Sequence, residues 1–154
     1  MKKLIDRLER NHVLTHSEFA ALIDGQSQET EADLFARARA IRQREYGTDV
    51  YIRGLIEFTN YCKNDCYYCG IRKSNTNAQR YRLSKEDILC CCDQGYELGF
   101  RTFVLQGGED GWFTDERLCD VISEIRNSFP DCAITLSVGE RSRQSYQRLY
   151  EAGA

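Results

Sequence analysis

The sequence predicts an α/β chain, an incomplete β/α barrel of the TIM type behind a helical lead-in, and three observations predict it. From residue 48 onward, strand-like and helix-like segments alternate three times, as parallel β/α units do. The residues with chemistry to offer follow directly on each strand, at the carboxyl ends where such sheets carry their sites. The chain has 154 residues, whereas a closed barrel needs about 250. It stops at Glu151-Ala152-Gly153-Ala154, a usual place for the turn into another strand. A partial barrel is therefore expected, with residues 1–47 as a helical segment and 48–154 as the first three β/α units.

Residues 4 to 46 read as helical. Thr15-His16-Ser17-Glu18 and Thr30-Glu31-Ala32-Asp33 each set a hydroxyl three residues before a carboxylate, the pattern of a capped helix start, and Gly47 closes the run. The pattern then changes. Val50 to Phe58 is rich in β-branched and aromatic residues and predicts the first strand. A long polar loop runs from Thr59 to Leu83. Ser84 with Asp87 caps a helix to about Leu98, and Gly99 ends it. Arg101 to Gln106 is the second strand, and Gly107-Gly108 turns the chain out of it. Asp115 to Phe129 is helical, with Leu118, Val121, Ile122 and Ile125 on one face and Pro130 just beyond. Cys132 to Val138 is the third strand and Ser142 to Ala152 the last helix. Three units leave the edge of the third strand open and the inner face of the sheet uncovered, so exposed apolar surface is expected there.

Composition narrows the function. Twenty-one Lys and Arg against 24 Asp and Glu give a formal charge of -3, which argues against a phosphate-neutralising surface and so against nucleic acid as partner. No apolar run approaches the roughly 18 residues of a membrane span. The amino terminus, Met1-Lys2-Lys3-Leu4-Ile5-Asp6-Arg7, has no signal-peptide apolar stretch, which places the chain in the cytoplasm. Eight cysteines in a reducing compartment point to metal binding or chemistry rather than bridges.

Cys62, Cys66 and Cys69 form C-x3-C-x2-C in the loop after the first strand. Soft thiolates select zinc, Cu(I) or iron-sulfur clusters. A zinc site needs a fourth Cys or His, and His12 and His16 lie far upstream. A 4Fe-4S cube on three cysteines instead leaves one iron open to an external ligand. Positions 62, 66 and 69 also match one helical face, so burial as apolar residues is the plain alternative, although Lys63-Asn64-Asp65 and Tyr67-Tyr68 make a poor helix. Cys90-Cys91-Cys92 cannot share a cluster, because neighbours on a helix point about 100° apart. Core or partly exposed thiols are expected there, and packing roles for Cys119 and Cys132.

The C-x3-C-x-aromatic-C pattern after the first strand, with Tyr68 at the aromatic position, resembles the radical S-adenosylmethionine (radical SAM) enzymes. The resemblance implies a 4Fe-4S cluster on Cys62, Cys66 and Cys69, with SAM on the open iron. An electron from the cluster then breaks a carbon-sulfur bond of the sulfonium and yields a 5'-deoxyadenosyl radical. Gly107-Gly108-Glu109 matches the family's second motif, which receives the methionine amino group of SAM. By location, Glu140 at the end of the third strand either reaches SAM or substrate, or caps the next helix. Tyr68, Gly107, Gly108, Glu109 and Glu140 are thus the expected cofactor-binding residues, and no catalytic residue is expected beyond the cluster ligands.

Arg53 to Cys62, Cys69 to Arg72, Arg80 to Ser84 and Val104 to Asp110 further resemble the HydE-type maturases of FeFe hydrogenase, a subgroup shared with biotin synthase and methylornithine synthase. That resemblance implies a role in building the diiron part of the hydrogenase active site. The implied partners are a small-molecule or organometallic substrate, an electron donor, and the maturases HydG and HydF. Two rivals stay open: another reaction of the same subgroup, and a non-catalytic module binding zinc or an iron-sulfur cluster.

Overall fold

Hydroxyl-led caps start most of the helices, and alternating apolar residues assign one face of each strand. The computed structural model describes residues Met1 to Ala154, which divide into two compact units, Met1–Val50 and Tyr51–Ala154.

The first unit holds helices α1 (Lys2–Asn11), α2 (His16–Asp24) and α3 (Gln28–Tyr46). Thr15 and Glu18 form the expected capping box at α2. The second expected cap lies elsewhere. Helix α3 starts earlier, with Ser27 as its cap and the Thr30 hydroxyl accepting from the Ser27 N–H at 2.8 Å. The partner expected for Thr30, Asp33, instead accepts from Arg37 one turn on, at 2.9 Å. Arg37 also reaches Asp6 and Glu9 of α1, at 2.7 and 2.9 Å. Ile5, Leu14 and Leu22 form a small core beneath these pairs, with Leu4, Leu8 and Leu34 packed on it.

The second unit runs β1 (Gly54–Thr59), α4 (Lys85–Glu97), β2 (Thr102–Gly107), α5 (Asp115–Ser128), β3 (Ala133–Ser137) and α6 (Arg143–Glu151). The strands form one parallel sheet in the order β1-β2-β3, which is the expected partial α/β unit. The first strand is shorter than its composition predicts. Pairing starts at Gly54 opposite Phe103, and Val50, Tyr51 and Ile52, strand formers by type, stay outside the ladder and exposed. Strand propensity needs a hydrogen-bonded neighbour, and β2 begins only at Thr102.

Ile56 and Phe58 of β1, Phe103 and Leu105 of β2, and Ile134 of β3 join a core completed by Ile88 and Cys92 of α4, Leu118, Val121, Ile122 and Ile125 of α5, and Leu149 of α6. The spacing of the α5 residues puts all four on one stripe. Phe113 stands edge-on to Phe58 with centroids 4.5 Å apart, and Phe129 likewise to Phe103 at 5.7 Å. Ile125 has no exposed surface. Ile125→Ala is expected to cost about 2 to 5 kcal/mol of unfolding free energy, because the emptied site cannot collapse between helix and sheet. The midpoint of denaturant unfolding followed by circular dichroism checks this.

The opposite face of the sheet is uncovered and mixed in character. Leu55 is half exposed and Val104 partly so, but Glu57, Gln106, Thr135 and Ser137 share that face, and the Gln106 amide donates to the Glu57 carboxylate at 3.3 Å. Alternation along the strands sends these side chains away from the core face, so apolar and polar residues share the open one. Among the remaining cysteines, Cys92 and Cys132 are buried, Cys119 packs against the core, and Cys90 and Cys91 are exposed on α4. Burial pushes the Cys92 thiol up to about 12. No helix is long and apolar enough to cross a membrane.

Candidate functional site

The loop from the end of β1 to α4 carries Cys62, Cys66 and Cys69, and its shape is held by main-chain and side-chain bonds that leave those sulfurs free. The Cys69 N–H donates to the Cys66 carbonyl at 3.0 Å, and the Lys73 N–H to the Asn64 carbonyl at 2.8 Å. Asp65 accepts from the Ser74 N–H at 2.9 Å. Asn60, at the entry, donates through its amide to the Gln79 carbonyl at 2.7 Å and accepts from the Tyr81 N–H at 2.8 Å. The loop then rejoins the sheet, with an antiparallel bridge between Thr59 and Arg82 and the Leu83 N–H on the Phe58 carbonyl at 2.8 Å. Cys66 is exposed and Cys62 and Cys69 half-buried, all three as free thiols. They are not buried as one helical face.

The end of β2 presses on the start of this loop. A Cβ at Gly108 would land on the Tyr61 carbonyl oxygen and come within 2.8 Å of the Cys62 Cβ. Only glycine permits that approach. The next residue ties the two segments together. Glu109 offers its carbonyl to the Lys63 N–H at 3.0 Å, and its carboxylate accepts from the Lys63 ammonium at 2.9 Å and the Asn64 amide at 2.7 Å. The Lys63 bond, aided by Asn64, holds the Glu109 carboxyl below the usual carboxylate range, and Glu109 in turn raises Lys63. Gly139, after β3 and at φ +78°, lies against the Glu109 side chain, where a Cβ would collide with it. Three strand ends thus meet around one carboxylate.

Asp110 braces the same corner from beneath. It takes two bonds from the Arg82 guanidinium, at 2.6 and 2.9 Å, one from the Thr59 hydroxyl at 2.8 Å and one from the Trp112 N–H at 3.0 Å. Burial alone would raise this carboxyl, but the donors from Arg82, Trp112 and Thr59 outweigh it and the net direction is down. Arg82 also lies over the Tyr61 ring, 3.9 Å from its centroid.

A cavity of about 240 Å³ opens beside this corner, lined among others by Lys63, Glu109, Asp110, Glu140 and Arg141. Of the cofactor-binding residues expected from sequence, the structure therefore brings Gly108 and Glu109 against the cysteine loop and Glu140 to the same cavity. Gly107 packs on Thr59, one residue short of the loop. Tyr68 stands apart from them, 94% exposed. Sequence reasoning missed Asn60, Lys63, Asn64, Arg80, Arg82 and Asp110. Arg80 and Arg82, two residues apart in the polar loop, and a second acid after Glu109 were the available signals.

The donor set fits an iron-sulfur cube. Three free, unburied cysteine sulfurs share a loop whose fold does not depend on them. No three His, Cys, Asp or Glu side chains stand close enough to hold a single metal ion. A tetrahedral zinc would need a fourth Cys or His beside these three, whereas a cube takes each of three cysteines on a different iron.

No protein-family model matches the chain. The [FeFe] hydrogenase maturase subunit HydE of Thermotoga maritima is 37% identical over 153 residues, 99% of this chain and 43% of that protein. Among solved structures, methylornithine synthase (PylB) superposes with a TM-score of 0.76 at 27% identity, over 98% of this chain and 45% of that one. HydG, also a maturase of the [FeFe]-hydrogenase, superposes with a TM-score of 0.83 at 25% identity, over 98% and 34%. The chain spans less than half the length of each of these relatives.

Proposed function

This chain belongs to the radical SAM enzymes, and from that premise we propose that it forms the cluster-binding and SAM-binding part of an enzyme that reductively cleaves SAM. Residues 48–154 supply the first three β/α units of the barrel, and 1–47 a helical lead-in. Cys62, Cys66 and Cys69 each hold one iron of a 4Fe-4S cluster. When bound, the reduced cluster supplies the electron that breaks a carbon-sulfur bond of SAM. Gly107 and Gly108 let the end of β2 lie against Thr59 and the cysteine loop at the SAM site, Glu109 receives the SAM ammonium, Glu140 adds a second carboxylate to the cavity, and Tyr68 flanks the motif from its exposed position.

One observation carries this reading. The Glu109 carboxylate already accepts an ammonium, that of Lys63 at 2.9 Å, while bonded to the segment between Cys62 and Cys66. A SAM ammonium at the same oxygens would lie next to the cluster ligands. The test is anaerobic reconstitution with iron and sulfide, followed by absorption spectroscopy and detection of 5'-deoxyadenosine under reducing conditions. A zinc-loaded protein with no iron-sulfur absorption would instead support the non-catalytic metal-binding module.

The finer role we propose is HydE-like. The substrate is a small organometallic or other small molecule used in assembling the diiron cluster of FeFe hydrogenase, with HydG, HydF and an electron donor as partners. The likeness to methylornithine synthase favours a second reading, another reaction of the same subgroup. Glu109→Gln keeps the shape of the side chain but removes the charge that an ammonium needs, so SAM binding is expected to weaken several-fold with the iron content unchanged. Equal SAM affinity in the two proteins, by equilibrium binding, would remove Glu109 from the site.

A further inference from the structure

Arg80 falls in one of the HydE-like stretches, yet no role was expected for it, and its guanidinium makes four hydrogen bonds to the cysteine loop. One terminal nitrogen of its guanidinium donates to the carbonyls of Asn60 and Ile71, at 2.5 and 2.8 Å. The other donates to the carbonyls of Arg72 and Asn75, at 2.7 and 3.2 Å. All four terminal N–H groups therefore end on main-chain oxygens, one before the first cysteine and three after the last. The side chain is half-buried within the loop, and of the four carbonyls only that of Arg72 has a second main-chain donor, the Asn75 N–H at 3.1 Å, so losing the guanidinium costs the others the donor that ties them together.

We propose that Arg80 is a positioning residue that sets the cysteine loop in its ligating shape before iron arrives; this rests on the cluster reading above. The loop has no regular secondary structure between Asn60 and Tyr81, so its order must come from such ties. A planar fork with four donors in fixed directions spans both arms of the loop at once. An ammonium, with three donors around one point, cannot. Asn60 supports the same closure from the entry arm through its bonds to residues 79 and 81. The ordering cost is thereby met in folding rather than in cluster binding, which raises retention of the cluster without any bond to it.

The experiment compares wild type, Arg80→Ala and Arg80→Lys at the protein's native length. Wild type must first take up iron and sulfide and show 4Fe-4S absorption. Failure at that step would refute the cluster reading itself rather than the role of Arg80. Given a loaded wild type, both variants are expected to lose iron to a chelator about tenfold faster or more, the usual scale for removing an outer-shell support. In the metal-free protein, proteolysis between residues 60 and 80 is expected to quicken, while the melting of the helix and sheet core is unchanged. Methylguanidinium added to Arg80→Ala is expected to restore chelator resistance in part, which general destabilisation would not allow. If Arg80→Ala does not fold, Arg80→Lys, which keeps the charge and the stem, carries the comparison. Iron retention in Arg80→Lys equal to wild type, or a melting point lowered in step with iron loss, would overturn the proposal.

Discussion

Cys66→Ala, reconstituted anaerobically, is expected to lose the 4Fe-4S absorption and most of its iron and sulfide. The Cys66 side chain is exposed and makes none of the bonds that shape the loop, to which Cys66 contributes only its main-chain carbonyl, so Cys66→Ala leaves the fold intact and takes away one thiolate alone. An iron without its protein ligand opens the cube to loss. Cys62→Ala and Cys69→Ala are expected to do the same. Cys91→Ala is the control. It is equally exposed, but on α4 and away from the loop, so iron content should equal that of wild type. Iron and sulfide analysis with absorption spectra reads all four. A Cys66→Ala protein with its full complement of iron would exclude that thiol as a ligand.

Gly108→Ala is expected to disable the site as thoroughly with a single methyl group. The added carbon would overlap the Tyr61 carbonyl oxygen, and its other near neighbours are the Tyr61 carbonyl carbon at 2.9 Å and the Cys62 Cβ at 2.8 Å. These are main-chain atoms or stand next to them, so no flexible side chain can turn aside. Relief has to come from separating the end of β2 from the cysteine loop, which breaks the contact of Glu109 with Lys63 and Asn64. Cluster loading and SAM binding should both fall, while the core on the far side of the sheet still melts cooperatively. Gly111→Ala, in the same turn, meets nothing within 4 Å and is expected to leave both unchanged. The pair, measured by iron content and SAM binding, separates close packing from mere presence in a glycine-rich turn.

The amino-acid sequence by itself determined the order of elements, the parallel β/α class and the cysteine motif, because each depends on residues close together in the chain. Leu118, Val121, Ile122 and Ile125 announce the buried stripe of α5 through helical spacing alone, and Cys62, Cys66 and Cys69 announce soft-metal chemistry through residue type and interval. Local signals faltered where a neighbour in space had the deciding vote. Val50 to Ile52 are strand formers without a strand, since no paired neighbour reaches them. Thr30 looked like a cap and became the third residue of a helix that Ser27 caps. Only the tertiary structure decided the site's architecture: that Gly108 touches Cys62, that Glu109 binds the segment between the first two cysteines, that Arg82 and Asp110 lock the corner, and that Arg80 closes the loop. Those partners lie up to 46 residues apart in the chain, as Lys63 and Glu109 do. No spacing rule spans such a gap, because it is closed by the parallel sheet, which brings successive strand ends side by side.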